Sequence, residues 1–327
     1  VSKYFVVTGG AGFIGFPLCK ALLEAGHTVE CVDDLRSSLL MPDTLRRLET
    51  FTDHFIWRHR SVAKWAMESL TQMDRIDGIF HLASPVGPVG VLNHGGSIAR
   101  DILDDTMAVA DIACEWNVRL VFVSTSEVYG GGNAGLCAED MPCIVPPAAS
   151  ARLEYALGKL AAETALLNQR RMADADVVII RPFNVAGPGQ NAAGGFVLPR
   201  FLKHALAGMP LTVFGDGRAV RAFTHVADVV DGLLLAFDHG RSGQVYNLGN
   251  PANIVTIQQV AEAVLAAVGG GEIAYTDGVT LFGDLYAEAN DKFPNADKAM
   301  HDLGWTPSRS LETIVQDTLA GLREELR

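Results

Sequence analysis

A tyrosine and a lysine stand four residues apart in Tyr155-Ala156-Leu157-Gly158-Lys159. On a helix, positions i and i+4 share one face. An ammonium beside a phenol stabilises phenolate and draws the tyrosine pKa down from about 10, so that the phenol can act as a base near neutrality. Taken alone, the same pair also describes a solvated helix face. Upstream, Ser124-Thr125-Ser126-Glu127-Val128-Tyr129-Gly130 follows directly on the apolar run Leu120–Val123. Hydroxyls at a strand end can hydrogen-bond a substrate hydroxyl, and Glu127 offers a second acid or base; equally, such hydroxyls cap turns.

A third group is the glycine turn Thr8-Gly9-Gly10-Ala11-Gly12-Phe13-Ile14-Gly15, which follows the first apolar run. Gly9 permits a tight turn, Gly12 lets a backbone approach a pyrophosphate, and Gly15 lets the following helix sit close on the strand. The N-terminus of that helix would present unpaired N–H groups to phosphate. Asp33 comes 18 positions after Gly15. There an acid accepts hydrogen bonds from adenosine ribose hydroxyls and repels a 2′-phosphate, which favours NAD over NADP. Arg36 is a counter-signal and reads as a solvated loop residue.

These groups need a scaffold. Tyr4–Val7, Thr28–Val32, Gly78–Leu82, Leu120–Val123 and Val177–Ile180 are short, continuously apolar runs, as expected of buried parallel strands, and Phe16–Ala25 reads as the first helix. Alternating strands and helices predict an α/β fold with a doubly wound parallel sheet, of the Rossmann kind, binding ligands at the carboxyl ends of its strands. After Arg181-Pro182 glycine and proline become frequent and the alternation weakens. Residues 1–182 are therefore expected to form the NAD-binding domain, and 183–327 mainly a smaller substrate lobe, with the boundary interleaved. Helices are expected there at 198–207, 226–237, 257–268 and 311–326.

Composition narrows the function. A net charge of −12 with no basic face argues against nucleic acid. Five cysteines without CxxC spacing argue against a disulfide framework or zinc site and suit a reducing cytoplasm. The start of the sequence lacks a signal-peptide layout, and no uncharged apolar run reaches the roughly 20 residues of a membrane span. No metal site is expected: His81 has no partner at metal spacing and reads as strand-end packing. Trp57, Trp65, Trp116 and Trp305 read as core or lobe-contact residues.

In order and spacing, the glycine turn, Asp33, His81-Leu82-Ala83-Ser84, the STSEVYG segment, Tyr155-x-x-x-Lys159 and Arg181-Pro182-Phe183-Asn184 resemble the extended short-chain dehydrogenases/reductases that act on nucleotide sugars, the NAD-dependent epimerase/dehydratase family. The resemblance runs from residue 4 to about 306. Ser84-Pro85 with Pro88, STSEVYG, Arg152-x-x-Tyr155-x-x-Gly158-Lys159 and Arg221-Ala222-Phe223-Thr224 bring it nearest to UDP-glucuronate decarboxylases, the UDP-xylose synthases. It implies a 4-keto intermediate, with Tyr155 taking the sugar 4-hydroxyl proton and Lys159 holding the nicotinamide ribose. Ser126 and Glu127 would lie by the substrate carboxylate and ring. Gly9, Gly12, Phe13, Ile14, Gly15, Asp33, Leu82, Ala83 and Ser124, with Tyr155 and Lys159, would meet NAD. Pro85, Asn184, Val197, Phe214, Arg221 and Lys292 would meet the nucleotide sugar, with Arg221 on the diphosphate or carboxylate. Arg200 and Arg218 read as surface residues. A homodimer through the helices near 104–116 and 152–170 is the family expectation.

The pattern departs from the family in three places: Ser61-Val62 replaces Asp-Val after the third strand, Ile102-Leu103 replaces Asn-Val, and Lys292-Phe293-Pro294-Asn295 replaces an arginine-containing stretch. Ser126 stands where 4,6-dehydratases carry an aspartate, which argues against dehydration. A nucleotide-sugar 4-epimerase stays open, as does a non-catalytic NAD-binding regulator, although such proteins generally lose the tyrosine or the lysine.

Overall fold

The computed structural model describes residues 1–36, 48–51, 53–72, 76–130, 135–143, 151–277 and 291–325. Seven parallel strands form its central sheet: β1 (Tyr4–Thr8), β2 (Thr28–Asp33), β3 (Phe55–His59), β4 (Gly78–His81), β5 (Arg119–Val123), β6 (Val177–Pro182) and β7 (Gln244–Leu248). Their order is β7-β6-β5-β4-β1-β2-β3, all parallel, so the winding reverses between β1 and β4. At such a reversal the crossover helices diverge to opposite faces and open a crevice at the carboxyl ends of the strands.

Side chains alternate between two cores because strand period is two. Phe5 and Val7 of β1, Val121 and Val123 of β5, and Val178 and Ile180 of β6 face α1 (Gly15–Glu24) and the helix Val226–His239. Val6, Leu120, Phe122, Val177 and Ile179 face α2 (Val62–Gln72), α3 (Ile98–Glu115) and α4 (Ala151–Ala173). Each such aliphatic side chain contributes about 1.5–3 kcal/mol on burial, which is why β1, β4, β5 and β6 are apolar on both faces. A third core joins α5 (Val197–Leu206), α6 (Ile257–Val268) and α7 (Leu311–Glu325) beside the carboxyl edge.

The expected strands and most helices lie within a residue or two of the observed ones; the helix expected near 104–116 begins earlier, at Ile98, the one near 152–170 runs on to Ala173, and Leu326 of the last helix falls outside the described residues. Two strands escaped the apolar-run criterion. β3 is an edge strand, Phe-Ile-Trp-Arg-His, with its last two residues exposed. β7 comes from beyond residue 183 and carries Asn247, which is fully buried. Its amide donates to the carbonyls of Cys137 and Asn295 at 3.0 and 3.1 Å and accepts the Tyr129 hydroxyl at 2.8 Å. A buried asparagine satisfied by partners 48 to 118 residues away resembles loop sequence until those partners are known. Trp65 and Trp305 are buried, whereas Trp57 and Trp116 are partly covered at the edges of the cores.

Candidate active site

The crevice at the strand ends is a cavity of about 510 Å³. Of the residues expected to act on or bind cofactor and substrate, all but Lys292 line it. They divide between a cofactor end, built mainly of backbone, and an opposite end built of charged side chains.

At the cofactor end, β1 runs into the glycine turn. Gly9 has φ +68°, and a Cβ there would stand 2.8 Å from the Ala83 nitrogen. A Cβ on Gly15 would stand 2.1 Å from the Gly9 carbonyl oxygen, so only glycine lets α1 start this close to the strand. Ile14 precedes α1 without a capping side chain, leaving the helix N-terminus to an outside anion. Asp33 is held at the end of β2: its carboxylate accepts the backbone N–H of Ala11 at 3.1 Å and of Leu35 at 2.8 Å. Arg36 is paired with Asp34, Nε to Oδ2 2.6 Å, and its side chain is two-thirds exposed. Glycine cradle, open helix terminus and fixed acid together fit a dinucleotide.

His81, at the end of β4, bonds the Thr8 hydroxyl at 2.6 Å through Nδ1 and the Thr106 hydroxyl at 3.2 Å through Nε2. Burial, with a smaller push from Lys159, drives its pKa down to about 3. It is a neutral packing residue.

At the carboxyl end of β5, Thr125 caps the short turn Ser126–Tyr129 by accepting the Glu127 N–H at 3.2 Å. Thr125, not Ser126, is the hydroxyl hydrogen-bonded to the Tyr155 phenol. The strand-end register carried that signal, since Thr125 is the second residue past β5 and extended backbone alternates its side chains. The Ser124 hydroxyl turns away and is bonded to Glu163. Tyr155 and Lys159 stand on α4, one turn apart.

The expectation that Lys159 lowers the Tyr155 pKa is not met by the geometry. Lys159 donates from Nζ to the Val123 carbonyl at 2.8 Å, and burial lowers its own pKa to about 7 against the opposing pull of Glu163 and Asp105. Burial pushes the Tyr155 phenol above its ordinary range, the Thr125 hydrogen bond offsets this in part, and Glu127 adds to the rise. A phenol so placed reacts only when further positive charge arrives beside it.

Glu127 also departs from expectation. Arg152 grips it with two bonds, Nε–Oε2 2.6 Å and Nη2–Oε1 2.8 Å, and Lys292 adds a third, Nζ–Oε1 2.9 Å. Burial pulls its pKa up, but the two cations outweigh burial and hold it below the carboxylate range. It has no proton to give near neutrality and is a poor acceptor, so it is not the second acid or base that its type suggested. Lys292 sits behind it, buried, and also donates to the Ser126 carbonyl at 3.4 Å. The sequence showed Arg152 only as part of a motif; its role depends on α4 docking over the turn after β5.

Farther out, Asn184 takes a positive φ of +32° after β6 and donates to the Ala222 carbonyl at 3.3 Å. Val197 opens α5, and Arg221 is buried beside it in the cavity wall. Arg200 is a correction. It lines the cavity, stacking its guanidinium 4.1 Å from the Phe214 ring centroid and donating to the Thr212 carbonyl at 3.0 Å. Arg218 is a surface residue, its side chain 84% exposed.

The NAD dependent epimerase/dehydratase family model matches residues 5–249. The chain belongs to this family. NAD is accordingly its cofactor, and the glycine cradle and Asp33 are the residues that fit it. A UDP-glucuronic acid decarboxylase 1 from Xenopus tropicalis is 32% identical over 99% of this chain and 73% of its own length. A UDP-glucose 4-epimerase from Mycolicibacterium smegmatis is also 32% identical, over 98% of both chains. Among solved structures, a UDP-glucose 4-epimerase from Thermotoga maritima, determined with UDP-glucose, superposes with a TM-score of 0.86 at 26% identity, covering 99% of this chain and all of that one. No helix among the described residues is long and apolar enough to cross a membrane.

Proposed function

We propose that this family member is a nucleotide-sugar decarboxylase acting on a UDP-linked uronate, with UDP-glucuronate as the first substrate to try. The observation that carries the reading is the cluster beside Tyr155. One carboxylate, Glu127, is bracketed by two cations, Arg152 and Lys292, so this wall of the cavity has surplus positive charge where a sugar 6-carboxylate would need it. Lys292 pairs with Glu127 from behind, and Arg152 lines the cavity beside it. A neutral hexose gains nothing from such a cluster. The relatives named as UDP-glucuronic acid decarboxylases support the same substrate class.

NAD, which the glycine cradle and Asp33 would hold, would supply a reversible hydride acceptor and a cationic ring; the chain's own groups do the rest. Tyr155 takes the proton of the sugar 4-hydroxyl, relayed or steadied by Thr125, and Lys159 fixes the ribose end. With C4 oxidised, the ketone stands β to the carboxylate. The C5–C6 bond breaks, its electron pair enters an enolate on O4, and carbon dioxide leaves. The Tyr155 phenol is then the hydrogen-bond donor to that oxygen, a charge that exists only after bond cleavage and is therefore worth stabilising. C5 takes a proton from water, and reduction at C4 returns the Tyr155 proton to the product hydroxyl. Arg221 and Arg200 serve the diphosphate and the base end beside Phe214.

The test is incubation of the purified protein with UDP-glucuronate and NAD, following carbon dioxide and product mass. Loss of one carbon dioxide per turnover is the expected result. A product of unchanged mass with a new retention time would replace the proposal by 4-epimerisation, which the similarity to a UDP-glucose 4-epimerase keeps in view. Tyr155→Phe is expected to lower kcat by about 10²–10⁴-fold while leaving bound NAD and the melting temperature unchanged.

A further inference from the structure

Beyond Asp33 the cavity wall is formed by Asp34 and Arg36 after β2, by Arg60 and Val62 at the start of α2, and by Asp101, Ile102 and Asp105 on α3. Val62 and Ile102, both buried, give it apolar sides, and Arg36 stands at its mouth. Such a slot suits a flat heteroaromatic base. Its polar floor is Asp105, on α3.

Among the described residues, three other carboxylates line this part of the cavity, and each is engaged. Asp33 holds the backbone of Ala11 and Leu35. Asp34 holds Arg36. Asp101 accepts the Ser97 hydroxyl at 3.1 Å and Arg100 at 3.3 Å. Asp105 has one backbone donor among the described residues, the N–H of Ala63 in the first turn of α2. A carboxylate has about four acceptor sites, so most of its capacity remains unused. Burial raises its pKa to about 6, with Arg36 and the Ala63 N–H opposing and Asp34 and Asp101 adding to the rise, so desolvation of this group is only partly compensated and a further donor would be favourable. In the loop after β3 the Ser61 hydroxyl accepts the Lys64 N–H at 3.4 Å and does not line the cavity, and the Arg60 side chain, which does, is a donor only.

We propose that Asp105 accepts the exocyclic amine of the NAD adenine, so that α3 rather than the loop after β3 reads the base. The amine is a donor, the carboxylate an acceptor, and Asp105 lies beyond Asp33 on the side where the base follows the ribose. Asp105 also caps α2, and the two roles separate experimentally. Nicotinamide hypoxanthine dinucleotide carries a carbonyl oxygen in place of that amine and is otherwise close to NAD in shape. The purified protein is equilibrated with equal concentrations of the two dinucleotides and desalted, and the retained species are counted by mass spectrometry.

The expected result is retention of NAD over the hypoxanthine analogue by about 10-fold or more, the size of a hydrogen bond to a charged group. In Asp105→Asn the amide can offer its NH₂ to the analogue's oxygen, and the ratio should fall towards one or invert. Equal retention by the unaltered protein would overturn the proposal. So would an unchanged ratio in Asp105→Asn with both dinucleotides weakened alike, which is what lost capping alone produces. Should Asp105→Asn fail to fold, Asp105→Ser retains a capping hydroxyl and must likewise lose the preference.

Discussion

Glu163 and Glu127 are each gripped by an arginine with paired bonds, one beneath the turn after β5 and one above it. Beneath, Glu163 receives Arg181 through Nε at 3.0 Å and Nη2 at 2.6 Å, and takes the Ser124 hydroxyl as well. Arg181 also donates to the Tyr129 hydroxyl at 2.9 Å, which passes the network to Asn247 on β7. The Glu163–Arg181 side chains are 2% and 5% exposed. Above, the Glu127–Arg152 side chains are 20% and 33% exposed, and Lys292 makes a second cation on one anion. The same bidentate chemistry thus serves two ends. The inner pair cancels its charges in a closed network and fixes the turn on the sheet. The outer cluster keeps a positive excess in an open wall, where it can act on a ligand.

Breaking the inner pair should have the largest effect. Glu163→Ala strands a buried guanidinium and is expected to cost about 3–5 kcal/mol in urea unfolding. The corresponding Glu127→Ala leaves an Arg152 that is one-third exposed and a buried Lys292 that can shed its proton, so it should cost less stability and change substrate handling as well. If the two losses were equal, the distinction between them would fail.

Lys159 belongs to the inner side and predicts a pH dependence. The unfolded chain keeps its proton to about pH 10.5 and the folded chain only to about 7. Between those values the unfolded state binds more protons, so stability rises with pH by up to about 1.4 kcal/mol per unit. Lys159→Met should remove that rise, seen as a melting-temperature difference between variant and parent that changes sign or size between pH 7 and 10.

On the outer side, Arg152→Met is expected to raise KM for a uronate substrate by about 10- to 100-fold, the size of a lost charged hydrogen bond, with little change in melting temperature. Arg152→Lys should recover only part, because an ammonium cannot form the paired bonds. The smallest effect belongs to Arg218→Ala. That exposed pair with Asp216 lies outside the cavity, and neither KM nor melting temperature should move.

The sequence by itself determined the cofactor half of this protein. Gly9, Gly12, Gly15 and Asp33 act through backbone conformation and strand-end position, which are local properties, and the apolar runs of β1, β4, β5 and β6 carry their own burial on both faces. Tyr155 and Lys159 were equally legible, because helix geometry alone puts them on one face. Only the tertiary structure decided what their neighbours do. Glu127, Arg152 and Lys292 are brought together from a strand end, a helix and a distant segment, and it is their mutual distance that turns a presumed acid into a fixed anion. Arg200 lies in the cavity because the strand ending at Phe214 folds back against α5, and Asn247 joins the sheet because Tyr129 and two backbone carbonyls wait for it. Electrostatic effect depends on separation and burial, and neither is a property of residue type or of spacing along the chain.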